Sequence, residues 1–263
     1  MSLDVMHARV AFRNRAFIDV MDLALRFFAV HAKLYAKVSF FALSPCIALT
    51  LLAAWAWGWT GAAVVAFVLS FVAQVPFTVL ASRLVFQEKV AAAAVLRASA
   101  REIPRIVAMR LGWALAVATG TLFLLVPGLW LAALFLFVDE VMILERSAIS
   151  PAFGRSNRIA MGGIGDALIG VCMTVLVPAL AMLLADVGGR AFIGELLQFR
   201  PPVPAWTAGG SVLATLGWFG IIPYVATTRF FTYLNMRTRA EGWDIQTRFA
   251  AIAARNQREQ EAA

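Results

Sequence analysis

The stretch "FLFVDEVMILERSAISPAFGRSNRIAMGG", Phe135–Gly163, decides the fold. It begins as the end of a long apolar run, sets Asp139, Glu140 and Glu145 at its close, and follows them with Arg146, Arg155 and Arg158. A charge at mid-bilayer costs about 2.5–3.5 kcal/mol on insertion scales. Toward the end of a span the cost falls, and basic groups just beyond can act as counterions. The stretch therefore reads as a helix leaving a membrane, followed by a short basic amphipathic helix. In that second helix Ser150 is the expected N-cap, Pro151 suits the first helical position, and Gly162 with Gly163 ends it.

The rest of the chain agrees with a membrane reading. Of 263 residues, 62% are hydrophobic and 14% charged, against about 25% charged in ordinary soluble domains. The expected class is an all-α, polytopic membrane helix bundle. A crossing helix needs about 20 mostly apolar residues. Six runs are read as transmembrane helices: Val38–Trp57, Ala62–Val85, Ile106–Val126, Leu129–Leu144 (a short one), Ala167–Ala185 and Val212–Thr228. A turn at "VPG", Val126–Gly128, separates the third from the fourth. The chain then divides into a cytoplasmic or interfacial N-terminal helix (1–37), a six-span membrane domain (38–235) and a cytoplasmic C-terminal helix (236–263).

The cations set the orientation. Of the 23 Lys and Arg residues, all except Arg190 and Arg200 lie before the first span, in or at the ends of the runs flanking the link between the second and third (Arg83 and Arg110 inside those run ends), between the fourth and fifth, or after the sixth. By the positive-inside rule both ends face the cytoplasm, and Trp55–Trp59 fall at the outer interface. The first residues lack the compact apolar core and cleavage site of a signal peptide. Three basic amphipathic segments precede the span pairs: Phe17–Lys37, Ala92–Arg110 and Ser150–Gly163. They are expected in the cytoplasmic headgroup plane, with Arg26, Arg97, Arg101 and Arg105 toward anionic lipid heads. Pro104 is expected to part the second segment from its span. Residues 186–210 form the sizeable outer link, a candidate lid or partner surface.

Two blocks carry a resemblance. "PGLWLAALFLFVDEVMILE" with "AFGRSNRIA", and "YLNMRTRAEGWD" at the end of the last span, resemble the glycerophosphoryl diester phosphodiesterase membrane-domain family. Pro127, Gly128, Glu145, Arg155 and Ser156 match its first pattern. Tyr233, Arg237, Arg239, Glu241, Gly242 and Asp244 match its second, with Asn235 where the family has Asp. The resemblance implies a six-span bacterial plasma-membrane protein with cytoplasmic ends. It does not imply an activity, because the phosphodiesterase chemistry of fused members sits in a separate soluble barrel.

The residues themselves point away from catalysis. Histidine is limited to His7 and His31, and Cys46 and Cys172 stand in apolar runs without metal-ligand spacing, read as buried thiols. No HExxH, GxSxG or P-loop pattern occurs, so no enzyme activity and no cofactor is expected. Adjacent acids on a helix diverge by about 100°, so Asp139 and Glu140 are not expected to face one substrate. Gln74, Asp166 and Pro178 are candidate cavity residues, although the span interiors read as nearly free of ionisable groups. Glu145, Arg155, Arg158, Arg237, Arg239, Glu241 and Asp244 are expected to form a cytoplasmic ionic belt. The reading is a non-catalytic membrane scaffold or interaction subunit with a basic, anionic-lipid-contacting face. Its partners are membrane lipids and a cytoplasmic or membrane protein, not nucleic acid, since the arginines lie between apolar runs. The alternative is a transporter or lipid-handling permease component. A cysteine placed at position 145 or 241 should react with an impermeant maleimide only after intact cells are permeabilised; labelling from the periplasm would overturn the orientation.

Overall fold

The computed structural model describes residues 15–241 apart from Glu88, and not the side chains of Phe123, Leu125 and Glu241. Gly242, Asp244 and the C-terminal tail lie outside the described residues. The described chain is helical, without a strand: α1 (Phe17–Val30), α2 (Ala32–Phe86), α3 (Ala92–Phe123), α4 (Leu125–Leu134), α5 (Val138–Glu145), α6 (Ile149–Met161), α7 (Ile164–Ala191), α8 (Ala205–Ala208), α9 (Val212–Gly220) and α10 (Ile222–Glu241). Three helical runs are long and apolar enough to cross a membrane: Ala32–Phe86, Val126–Glu145 and Ile164–Leu196.

The 55-residue α2 doubles back on itself. Gly58 adopts φ 75° and ψ 178°, a conformation open to glycine and strained for side-chain-bearing residues. The reversal brings Tyr35 of the first arm against Phe77 of the second, with ring centroids 6.3 Å apart and planes nearly parallel. A straight helix would separate them by about 60 Å. The Tyr35 hydroxyl also lies 2.8 Å from Thr227 Oγ1 of α10. Trp55 and Trp57, beside the turn, are exposed.

Several boundaries differ from those read in the sequence. The reversal between the third and fourth runs sits at Leu124, which is extended, and not at Val126–Gly128. Pro127 falls in the first turn of α4, where its missing N–H is no loss. Gly128 instead serves a close crossing of α3: a Cβ there would lie 2.0 Å from Thr121 Oγ1 and 2.9 Å from Thr121 Cα. Helix α3 continues through Pro104 without a break, as α2 does through Pro45 and Pro76; one lost donor is tolerated while the flanking turns stay bonded. Helix α6 starts after an extended Ala148 with no side-chain cap, so Ser150 is not the N-cap. The divisions after residues 37 and 235 fall inside α2 and α10.

The amphipathic helices α1 and α6 use their apolar faces against protein. Val20, Ala24 and Phe27 of α1 are buried, and Phe27 meets Phe231 of α10 edge-on at 5.0 Å. Ala152, Ser156 and Ile159 of α6 are buried as well. The link between α7 and α9 is largely exposed and is tied to the bundle at a few points. Buried Asp186 accepts hydrogen bonds from Ala205 N at 3.1 Å and from the Ser211 hydroxyl. Ser211 in turn caps α9. Arg190 stacks on Trp206 at 5.3 Å and donates to Pro202 O at 3.0 Å. Cys46 is buried, but Cys172 is exposed on α7. Its neighbours on that face are also apolar and exposed, among them Val175 and Leu176.

Gly128→Ala should lower unfolding stability in detergent micelles by about 1–3 kcal/mol, the usual range for overpacking. Gly154→Ala, where a Cβ meets nothing within 4 Å, should be neutral or stabilising by up to ~1 kcal/mol.

Candidate functional site

Between Leu134 and Val138 the helix breaks, and backbone groups lose their intrahelical partners. Two side chains take them up. Ser156, fully buried on α6, donates to Leu134 O at 2.9 Å and accepts from Phe137 N at 3.3 Å. Arg229 of α10 donates to Leu136 O at 2.6 Å. The break starts a new helix at Val138, so Asp139 and Glu140 fall in the first turn of α5, where helix N–H groups favour carboxylates.

Arg229 lies across both acids. Its Nη2 is 3.1 Å from Asp139 Oδ2 and 3.2 Å from Glu140 Oε2, and its Nη1 donates to Gln74 Oε1 at 3.0 Å. Arg110 of α3 binds the same Asp139 oxygen through Nε at 2.7 Å and through Nη2, and donates to Gln74 Oε1 at 3.0 Å. The Arg110 guanidinium also sits over the Phe71 ring at 5.4 Å. Asp139 is 4% exposed and Glu140 1%; the Arg110 and Arg229 side chains are 7% and 11% exposed. Burying each ion costs several kcal/mol after relaxation, offset only where geometry and hydrogen bonding are good. Two cations stand against two carboxylates, with one amide oxygen shared by both guanidinium groups, which balances the charge while Asp139 Oδ1 and Arg229 Nε stay without a hydrogen-bond partner among the described residues.

This cluster overturns one expectation. The span interiors are not nearly free of charge, since Arg110 and Arg229, assigned to cytoplasmic links, are drawn into the bundle. The two acids share an internal cation, Arg229 Nη2, while Asp139 and not Glu140 is among the residues lining the cavity described next. The signal in the sequence was an acid pair inside an apolar run with no cation beside it. Arg110, within Ile106–Val126, was the basic group placed to answer it.

The cluster forms the floor of a cavity of about 290 Å³. Gln74, Arg110, Asp139 and Arg229 line it at one end, and Phe67, Trp113, Val175 and Trp218 line its apolar walls. Along α2, Phe67 lies about 10 Å from Gln74, which gives the cavity its length. Neither α2 nor α3 packs substantially against α7, and the gap between them is the cavity. Two of its lining residues, Phe67 and Val175, are 49% and 62% exposed. Of the three expected cavity residues, Gln74 and Pro178 line it. Asp166 does not; it pairs with Arg239 at 2.5 Å.

A second ionic layer lies about 8–12 Å from the first, measured along α5 and α10. Glu145 is 3.0 Å from Arg155 Nε and 3.3 Å from Arg237 Nη1. It accepts from the Tyr233 hydroxyl at 2.9 Å, and Arg237 donates to that same hydroxyl at 3.1 Å. Arg158 is exposed and stands apart from this group, and Arg239 goes to Asp166 and to Arg15 O at 2.6 Å. Asn235 binds both backbone groups of Arg15, accepting at 3.0 Å and donating at 3.1 Å. A carboxylate could not donate, which gives the Asn a purpose at this position. Arg97 and Arg101 are exposed on α3 and Arg105 is half-buried; Arg26 is exposed and paired with Asp22 at 2.9 Å.

No group of three or more potential metal ligands occurs among the described residues. No family model, curated protein or solved structure matches the chain.

Arg229→Met should destabilise the protein by about 3–5 kcal/mol, because Glu140 keeps its buried charge without a cation. Adding Glu140→Gln to that variant should restore part of the loss, read as the unfolding midpoint of the purified protein in micelles.

Proposed function

We propose that this chain is a non-catalytic, six-span protein of a bacterial plasma membrane, with both ends cytoplasmic, that accommodates a lipid within its helix bundle. One observation carries the reading: an apolar-walled cavity with a charged floor, whose lining includes the exposed residues Phe67 and Val175, so that it would open sideways between them. In a bilayer such an opening faces acyl chains, and a concave, mostly apolar site with a few polar groups at one end is the usual form of a small-molecule pocket. The resemblance of the two sequence blocks to the glycerophosphoryl diester phosphodiesterase membrane domains supports the six-span part of the reading. The distribution of Lys and Arg supports the orientation. In that frame the second arm of α2 and the first arm are separate spans, as are α3, α4 with α5, α7, and α9 with α10.

The scaffold reading rests on a different feature, the exposed basic face of α3. Arg97 and Arg101 there suit anionic headgroups, each at about 1 kcal/mol. The two readings are compatible: a basic face recruits the surface on which the bundle opens.

A clickable lipid carrying a diazirine on its chain should label the purified protein within Phe67–Gln74 and Val171–Ala179. Thr174→Phe, which narrows the cavity without touching its ionic floor, should reduce that labelling several-fold. Labelling restricted to outward residues such as Leu180 and Leu184, and unchanged by Thr174→Phe, would remove the lipid-handling reading.

A further inference from the structure

A second cleft lies where three helices end or begin. It has a volume of about 180 Å³ and is bounded by the last turns of α2, the N-terminal part of α3 and the end of α5. Val79, Arg83 and Gln87 line it at four-residue spacing along α2, so that helix turns one face to it. Val79 and Leu144 are buried, Arg83 and Glu102 half-buried, and Gln87 and Arg146 exposed, so the lining grades from apolar to charged toward solvent.

The charges of this cleft are not paired with one another. Nearby, Arg155 and Arg237 both hold Glu145. Arg83, Arg146 and Glu102 make no ion pair or side-chain hydrogen bond among the described residues. Two cations and one anion therefore border a space without meeting across it, and the described lining keeps one net positive charge. Arg146 is also held at φ 51° and ψ 30°. The residue that ends a helix in this left-handed form is usually glycine, because a Cβ is strained there. Such strain persists where a side chain serves as a clamp for a ligand.

We propose that this cleft binds a phosphate group through Arg83 and Arg146, on the cytoplasmic side in the orientation proposed above. A carboxylate has two oxygens and is filled by one guanidinium fork, whereas a phosphate has oxygens enough to accept from two. A free phosphate and a phospholipid head offer this same chemistry. The cleft shares no lining residue with the apolar-walled cavity, so the proposal does not rest on the lipid-handling reading.

The test follows the thermal unfolding midpoint of the full-length protein in nonionic micelles, at fixed ionic strength, against added inorganic phosphate. Half-saturation should need about tenfold or more phosphate in Arg83→Gln and in Arg146→Gln than in the unaltered protein. Arg158→Gln, which removes an exposed cation outside the cleft, should leave it unchanged. Glu102→Gln, which removes a like charge, should shift the requirement the other way. Arg146→Gly should keep or raise the midpoint without phosphate, since glycine relieves the strain, and still lose the phosphate response; a purely structural arginine would lower that midpoint. Lysophosphatidic acid in the micelles identifies the source of the phosphate. If it removes the dependence on inorganic phosphate and a fatty acid of equal chain length does not, the cleft holds a lipid head; if the dependence persists, it holds a soluble phosphate. No midpoint shift with either phosphate source, an equal response to acetate, or a phosphate response unchanged in both arginine-to-glutamine variants would overturn the proposal.

Discussion

One guanidinium group, that of Arg229, lies between two neighbouring buried carboxylates, and most of the bundle is arranged around it. It ties α10 to α5 through Asp139 and Glu140, to the second arm of α2 through Gln74, and to the broken backbone through Leu136 O. An uncompensated charge at this depth is not tolerated, so each of these elements is held where the guanidinium can reach it. The break between α4 and α5 belongs to the same constraint. It frees the Leu136 carbonyl for the cation and presents the start of a helix to the acids.

Helices α5 and α10 therefore meet at two levels. The deeper level is Arg229 with Asp139 and Glu140; the other is Glu145 with Tyr233, Arg237 and Arg155. Two fixed points along one pair of helices set both their register and their relative rotation, which a single contact would leave free. Ser156 adds the third support by holding the broken backbone from the side of α6. The cavity is a consequence of this arrangement. With α10 anchored to α5 and the second arm of α2, and α7 packed on α9 and α4, no element fills the space between α7 and the arm of α2 that carries Phe67.

The helical class was legible in the apolar runs, and the acids of Phe135–Gly163 marked the place where the structure concentrates its polar contacts. What hydropathy missed had identifiable causes. A window average treats an arginine at the end of a run as outside it, so Arg110 and Arg229 were read as surface charges, although their partners lay in another run. The turn at Leu124 was misplaced because Pro127 and Gly128 look like a breaker. Proline is at home in a first helical turn, and that glycine answers a neighbouring helix instead. The apolar faces of α1 and α6 suggested lipid because amphipathicity alone does not say which apolar surface covers them. Ser156 stood out only through a resemblance of its block to a family pattern, without a role. The role depends on a break in a different helix, which no local pattern announces.

The reversal at Gly58 occupies one residue with a positive φ, flanked by indoles and small side chains and by no charge. A tip of that composition meets little resistance from hydrocarbon. In the six-span reading proposed above, the two arms of α2 would enter a bilayer together, as a closed unit, without any hydrophilic segment having to be translocated ahead of them. In that reading the hairpin would close on a single backbone torsion, before the residues of the charged core that lie beyond α2 have been made.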